Sequence, residues 1–130
     1  SAINSDLGPR DQDKTTSRID ALIDGLAIAP GTPVISGASG VPGITELEFD
    51  ALRRHLGEDV AIRAYQSLVG NPVEASFPFA IALAALALRN GGFYPAFEEA
   101  EKPATGAPSS ILVSGIGHYR GEGFALIDKA

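Results

Sequence analysis

The sequence contains no cysteine and no methionine. Without cysteine the chain has no disulfide, no thiolate ligand for a metal ion and no cysteine nucleophile of its own. Methionine is missing even at position 1, so Ser1 is not a retained initiator. We therefore expect the chain to be a fragment or a processed product of a longer protein.

Basic side chains are also scarce. Ten Lys and Arg face sixteen Asp and Glu, which gives a formal net charge of -6 and argues against nucleic acid or an anionic membrane surface as a partner. The longest apolar run, 77–88, is shorter than the roughly 20 residues of a membrane-spanning helix, and the N-terminus shows no signal sequence. These features predict a cytoplasmic protein with no membrane span. A hydrophobic content of 45% indicates one packed domain.

Hydrophobic periodicity and turn residues divide the chain into seven elements. Residues 1–14 are polar and predict an extended N-terminal segment, followed by a domain over residues 15–130. The expected elements are a helix 17–27 capped by Thr15, Thr16 or Ser17, a strand 33–36, a helix from a Thr45/Glu48 capping box to Gly57, a strand 60–64, a helix 72–89, and strands 111–114 and 124–127. This order, helix-strand-helix-strand-helix-strand-strand, indicates an α/β layered fold with right-handed crossovers.

The third predicted helix, 72–89, is apolar on nearly every face. Alanines alternate with its large apolar side chains, which are those of Phe77, Phe79, Ile81, Leu83, Leu86 and Leu88. Because a helix without a polar side must be covered all round, we expect a buried central helix, placed between two sheets or against a second polypeptide. An isolated chain would expose a large apolar patch, which predicts a non-monomeric state in solution.

Three segments resemble the C-terminal half of the β-ketoacyl-acyl carrier protein synthases, which have a thiolase-like fold. Residues 34–46, Val-Ile-Ser-Gly-Ala-Ser-Gly-Val-Pro-Gly-Ile-Thr-Glu, are placed like the family's strand that ends in Asn-Ala-His-Gly-Thr. Residues 66–76, Gln-Ser-Leu-Val-Gly-Asn-Pro-Val-Glu-Ala-Ser, resemble its Lys-Ser-x-Ile-Gly-His-Thr-x-Gly-Ala-Ser segment. Ser-Gly-Ile-Gly at 114–117 and the strand after it are similar to the closing Ser-Phe-Gly-Phe-Gly-Gly-x-Asn turn. The resemblance covers residues 31–130.

The resemblance implies a site that has lost the groups for condensation. In the family, a cysteine on the N-terminal half takes the acyl chain, two histidines polarise the malonyl thioester and assist decarboxylation, and a lysine supports the site. Here Ala38 and Asn71 stand at the histidine positions, and Gln66 stands at the lysine position. Alanine donates no hydrogen bond to an oxyanion and asparagine shuttles no proton, so we expect no condensation by this chain alone.

The first hypothesis is therefore a degenerate β-ketoacyl synthase-like domain of fatty acid or polyketide-type biosynthesis. It would shape an acyl pocket and pair with a second copy or with another ketosynthase half. Its ligand would be an acyl carrier protein or an acyl thioester, with no cofactor and no metal ion. One alternative is an active acyltransferase whose cysteine lies on a missing N-terminal half and whose chemistry uses His118, a residue of the last loop. The other is an α/β interaction module with no acyl ligand.

Several polar residues have a structural interpretation beside the functional one. Asn71 precedes a proline, where an N-cap meets the local requirement, so capping is favoured over thioester binding. The glycines around Ala38 indicate a tight turn. His55 lies late in a helix, where a cation suits the helix dipole, and indicates a surface role. A solvated helix face is the interpretation of three acidic residues, Glu46, Glu48 and Asp50.

Overall fold

The computed structural model describes residues 1–9, 12–117 and 120–130. The strands are β1 (Ala2–Pro9), β2 (Val34–Ser36), β3 (Ile62–Ala64), β4 (Ser110–Ile116) and β5 (Arg120–Asp128), and the helices are α1 (Gln12–Asp24), α2 (Ile44–Leu56), α3 (Gln66–Val69) and α4 (Ser76–Asn90). A 3-10 turn, Val73–Ala75, precedes α4. The strands form a sheet in the order β1-β5-β4-β2-β3. β2 is parallel to β3 and β4, whereas β5 is antiparallel to β4 and β1.

Helices pack on both faces of the sheet. Val34 and Leu112 belong to the core beneath α1 and α2, while their neighbours Ile35 and Val113 belong to the core beneath α4. Successive side chains of a strand point to opposite faces, so β2 and β4 contribute to both cores. The expected α/β layered fold is confirmed, as are β2 and the closing hairpin of β4 and β5.

The N-terminal segment is more regular than its sequence predicts. Within the predicted extended segment 1–14, β1 forms the edge of the sheet beside β5, and α1 begins at Gln12. The side-chain amide of Asn4 donates to the Leu22 carbonyl of α1 at 3.1 Å. β1 therefore joins the sheet through long-range pairing rather than through a local strand pattern.

The first helix is displaced from its predicted bounds of 17–27. Because α1 spans Gln12–Asp24, Thr15, Thr16 and Ser17 lie inside the helix and do not cap it. Thr15 is fully buried there, and Arg18 donates to its hydroxyl at 3.3 Å. After the helix, Ala27 adopts a φ of 50°, a left-handed conformation that does not continue an α-helix.

The second helix begins with a different cap from the predicted one. The carboxylate of Glu46, not that of Glu48, accepts the capping hydrogen bond, and its donor is the Gly43 amide. The Thr45/Glu48 capping box is therefore wrong, because Glu48 points into the protein instead of back along the chain. Gly57 ends the helix as predicted, and its amide donates to the Arg53 carbonyl at 2.8 Å.

The apolar helix α4 begins at Ser76, after the 3-10 turn, and ends at Gly91 in the left-handed conformation. Its sheet-facing residues are buried, but Phe79 and Leu86 on other sides are 38% and 42% exposed. The prediction of a buried helix is thus met on one side, and no second layer covers the rest within the described residues. Cover by a second polypeptide stays a prediction. Val73–Asn90 is long and apolar enough to cross a membrane. Core helices of soluble proteins also meet this criterion of length and composition.

A buried arginine organises the irregular segment after α4. Arg63 of β3 is 1% exposed, and its Nε donates to the Tyr94 and Pro95 carbonyls at 3.0 and 2.9 Å. Its Nη1 donates to the Lys102 carbonyl at 2.9 Å, and its guanidinium lies over the Phe93 ring, 5.3 Å from the centroid. A planar guanidinium presents five donors in a fixed geometry, so one side chain can hold several carbonyls that have no partner in a helix or strand.

We expect Arg63→Met to lower the free energy of unfolding by about 3–5 kcal/mol, because it removes the donor to the Tyr94, Pro95 and Lys102 carbonyls and the cation that lies 3.6 Å from the Glu101 carboxylate. Urea denaturation of the two proteins measures the change. Arg89→Met removes an exposed arginine at the end of α4 and should change stability by about 0.5 kcal/mol or less. Equal effects of the two substitutions would contradict the role given to Arg63.

Candidate functional site

A cavity of about 460 Å³ opens where β2, β3 and β4 end. The loop after β2, the first residue of α3 and the turn before α4 converge on it, through Gly37, Gln66 and Asn71 respectively. Phe77 of α4 and Ser114 of β4 also line it. In open α/β sheets, ligands bind at the carboxyl ends of parallel strands, so this cavity stands at the expected end of the sheet.

The structure brings most of the predicted site positions to this cavity. Gln66 and Asn71 line it directly, as do Gly37 and Ser39 on either side of Ala38. Ala38 itself is 7% exposed. His118, the candidate of the active-acyltransferase alternative, lies outside the described residues.

Asn71 makes the contacts of a cap. Its Oδ1 accepts hydrogen bonds from the Val73 amide at 2.9 Å and from the Ser76 hydroxyl at 3.1 Å. These bonds hold the turn into α4, where Val73 adopts an unfavourable φ of 51°. The acceptor end of this amide is therefore occupied by the protein's own backbone and hydroxyl groups.

Gln66 tethers α3 to the loop after β2. Its Nε2 donates to the Gly37 carbonyl at 2.9 Å. Its Oε1 is buried and has no hydrogen-bond partner among the described residues. An unsatisfied buried acceptor of this kind costs free energy on folding.

Next to the cavity, one buried carboxyl group joins three elements. Glu48 of α2 is 1% exposed, and its Oε1 accepts from the hydroxyls of Ser36 on β2 and Ser114 on β4, both at 2.6 Å. The Ser36 oxygen in turn accepts from the Ala38 amide at 3.0 Å. The backbone at one of the predicted positions is thus held by a chain of hydrogen bonds that starts at Glu48.

The interpretation of Glu48 as part of a solvated helix face is wrong. Its neighbours Glu46 and Asp50 are exposed as predicted, but Glu48 shares the buried face of α2 with Ala51, Leu52 and Leu56. These four residues lie at helical positions i, i+3, i+4 and i+8, which form one stripe. The helical spacing of Glu48 with these apolar residues therefore indicated its burial, although its charge suggested exposure.

Burial raises the pKa of Glu48, and the hydrogen bonds from Ser114 and Ser36 lower it by less. Its second carboxyl oxygen, Oε2, has no partner among the described residues. A neutral carboxyl costs less to bury than an unpaired carboxylate, so folding favours the protonated form.

A second buried carboxylate, that of Glu122 on β5, lines the cavity and is paired. Arg18 of α1 donates to its Oε2 from Nε at 3.3 Å and from Nη2 at 3.2 Å. Asp6 and Glu74 are further acidic residues of the lining, whereas no described lining residue is Lys, Arg or His.

The other polar clusters have structural roles. His55 bridges α1 and α2, with Nε2 2.9 Å from Asp20 and Nδ1 3.3 Å from Asp24, in line with the predicted surface role. No group of three His, Cys, Asp or Glu side chains is placed to hold a metal ion in residues 1–9, 12–117 and 120–130.

A larger cavity of about 730 Å³ lies at the opposite end of the parallel strands. Its lining is rich in proline, alanine and glycine, and includes Lys102, which is 3.6 Å from Asp59. None of the residues at 34–46, 66–76 or 114–117 lines it. The smaller cavity is therefore the candidate site.

Comparison with known proteins identifies the fold. No protein-family model and no curated protein matches the chain. The oxazolomycin ketosynthase domain of Streptomyces albus matches it with a TM-score of 0.76 at 17% identity, over 98% of this chain and 43% of that one. Ketosynthase twelve of the bacillaene polyketide synthase of Bacillus amyloliquefaciens matches with a TM-score of 0.74 at 16% identity, over 98% and 29%. The chain has a ketosynthase-like, thiolase-type fold, as its motifs predicted, and spans less than half the length of either protein.

We expect Glu48→Gln to stabilise the chain progressively as the pH rises. The raised pKa means that the folded state keeps a proton that the unfolded state releases near pH 4.5. The stability from that proton is complete below this pH and is lost as the pH rises to the folded pKa, by at most about 1.4 kcal/mol per pH unit. A glutamine keeps the acceptor for both serines and does not titrate.

Urea denaturation at pH 4.5 and pH 8 tests this expectation. The variant should match the natural chain at the lower pH and exceed it at the higher one. Asp50→Asn, an exposed carboxylate on the same helix, is the control. Parallel pH profiles for Glu48→Gln and the natural chain would show that Glu48 does not keep its proton.

Proposed function

We propose that this chain is a non-catalytic ketosynthase-like domain of fatty acid or polyketide-type biosynthesis. It binds an acyl thioester, carried by an acyl carrier protein, and pairs with another ketosynthase half or with a second copy. One observation carries the proposal: the cavity stands at the strand ends of a ketosynthase-like sheet, yet its described lining has no Lys, Arg or His side chain. A cytoplasmic location belongs to the same proposal.

The hydrogen-bonding groups at the three predicted positions support the absence of catalysis. The Ala38 amide donates to Ser36, the Gln66 Nε2 to Gly37, and the Asn71 Oδ1 accepts from the turn before α4. Stabilising a developing oxyanion requires donors aimed at the reacting carbonyl, and proton transfer requires a titratable group. These groups instead hold the loops that form the cavity.

The composition of the lining supports a neutral acyl ligand. Phe77 and Ile116 supply apolar surface, whereas Asp6 and Glu74 oppose a phosphate or a free carboxylate such as that of a malonyl group.

Exposed apolar residues support pairing with another polypeptide. Leu68, Val69 and Val73, which precede α4, are 62%, 58% and 64% exposed. Together with Phe79 and Leu86 of α4 they leave much apolar surface uncovered. Large exposed apolar patches mark interaction surfaces, and the chain spans less than half of the ketosynthases that it matches.

We expect light scattering to give a mass above that of one chain, because association removes these residues from water. Replacing Phe79 and Leu86 together by serine should shift the protein toward the monomer. The matched control replaces Ile3 and Leu7 of β1, which are also exposed, by serine. A stable, monodisperse monomer for the natural chain would contradict pairing through this surface.

We expect S-hexanoyl N-acetylcysteamine, a short acyl thioester, to bind the chain in calorimetric titration, with no acyl transfer or malonyl decarboxylation. Ser39→Trp, which fills the cavity, should weaken binding at least about tenfold, a change of about 1.4 kcal/mol. Ser109→Trp at the other cavity is the control. Acyl transfer by a longer protein that carries the N-terminal half, abolished by His118→Ala, would favour the active acyltransferase instead. Absence of binding would favour a plain interaction module.

A further inference from the structure

Phe77, in the first turn of α4, lies against two glycines that face each other across β4 and β5. Gly115 and Gly123 are register partners in the antiparallel pair. A Cβ atom at Gly115 would lie 3.1 Å from Cδ2 of the Phe77 ring, and one at Gly123 would lie 3.5 Å from its Cζ. The nearest atoms to both positions all belong to Phe77. The ring therefore occupies the space that two strand side chains would fill.

The same ring borders the candidate cavity. Phe77, Gly115 and Gly123 all belong to its lining. Further along α4, the helix meets the sheet through small side chains, since Ala80 and Ala84 are buried in the core that contains Val113 and Ala125. Small residues allow a helix to lie close to a sheet, so α4 and the sheet are in direct contact at the alanines. The Phe77 ring fills the space next to the glycines, and the packed core follows it along α4.

We propose that Phe77 sets the depth of the cavity, so that it admits short acyl chains and excludes long ones. This inference rests on the proposed acyl-binding function. The ring packs directly on the two glycines, and an apolar space vacated by such a side chain stays dry and accepts apolar guests. Removing the ring would thus extend the cavity along the glycine pair, in a direction that an acyl chain can follow.

The test measures chain-length preference by calorimetric titration with S-hexanoyl and S-decanoyl N-acetylcysteamine. The natural chain should bind the hexanoyl thioester and discriminate against the decanoyl one. Phe77→Ala should bind the decanoyl thioester about tenfold tighter than the natural chain does, the gain from burying roughly two further methylene groups. Its affinity for the hexanoyl thioester should change by less than about threefold.

Ile81→Ala is the matched control. Ile81 is four residues further along the same helix, packs against the core beneath α4, and is not among the lining residues of the cavity. Its removal should leave the chain-length preference unchanged. A shift equal to that of Phe77→Ala would overturn the proposal, because it would show a general loosening of α4.

Benzene, a probe without a thioester, separates this inference from the proposed function. If Phe77→Ala binds benzene, the natural chain does not, and neither binds a thioester, the depth role stands and the acyl function is wrong. If thioesters bind both proteins with the same chain-length preference, the depth role is wrong and the acyl function stands.

Phe77→Leu, which keeps part of the apolar contact, is measured in parallel. Should Phe77→Ala fail to fold, an unchanged preference in Phe77→Leu overturns the inference, and a preference shifted toward decanoyl supports it.

Discussion

The architecture around the cavity depends on the buried carboxyl group of Glu48. The two serines that donate to it, Ser36 and Ser114, are register partners at adjacent positions of β2 and β4. Glu48 therefore connects α2 to the last residue pair of two parallel strands, immediately before the loop that lines the cavity. Two serine hydroxyls satisfy its Oε1, whereas its Oε2 has no partner among the described residues, so burying the neutral carboxyl costs less than burying the carboxylate.

Around this cluster, polar side chains support the backbone more than they offer chemistry. The side-chain Nε2 of Gln66 donates to the Gly37 carbonyl, and the side-chain Oδ1 of Asn71 accepts from the Val73 amide. The loops that line the cavity thus obtain from these side chains the local hydrogen bonds that irregular backbone requires.

Local patterns predicted the parts of the fold that local interactions determine. The end of α2 at Gly57, the buried strand β2 and the hairpin of β4 and β5 follow from turn residues and β-branched runs. β1 was missed because it forms only against β5, and the inward orientation of Glu48 was missed because residue type outweighed periodicity. The motifs predicted that Gln66 and Asn71 lie at the site, and both line the cavity. The position of Phe77 was not predicted, because it depends on contacts with Gly115 and Gly123, which are far away in sequence.

The position of β1 has a consequence for how the chain behaves among its copies. β5 has nine residues, and without β1 its backbone donors and acceptors would face solvent as a template for strands of other molecules. β1 occupies that template with a segment that contains Asn4, Ser5 and Asp6, residue types that extend sheets poorly. The segment with the weakest strand signal thereby covers the edge that β5 would otherwise present to other chains.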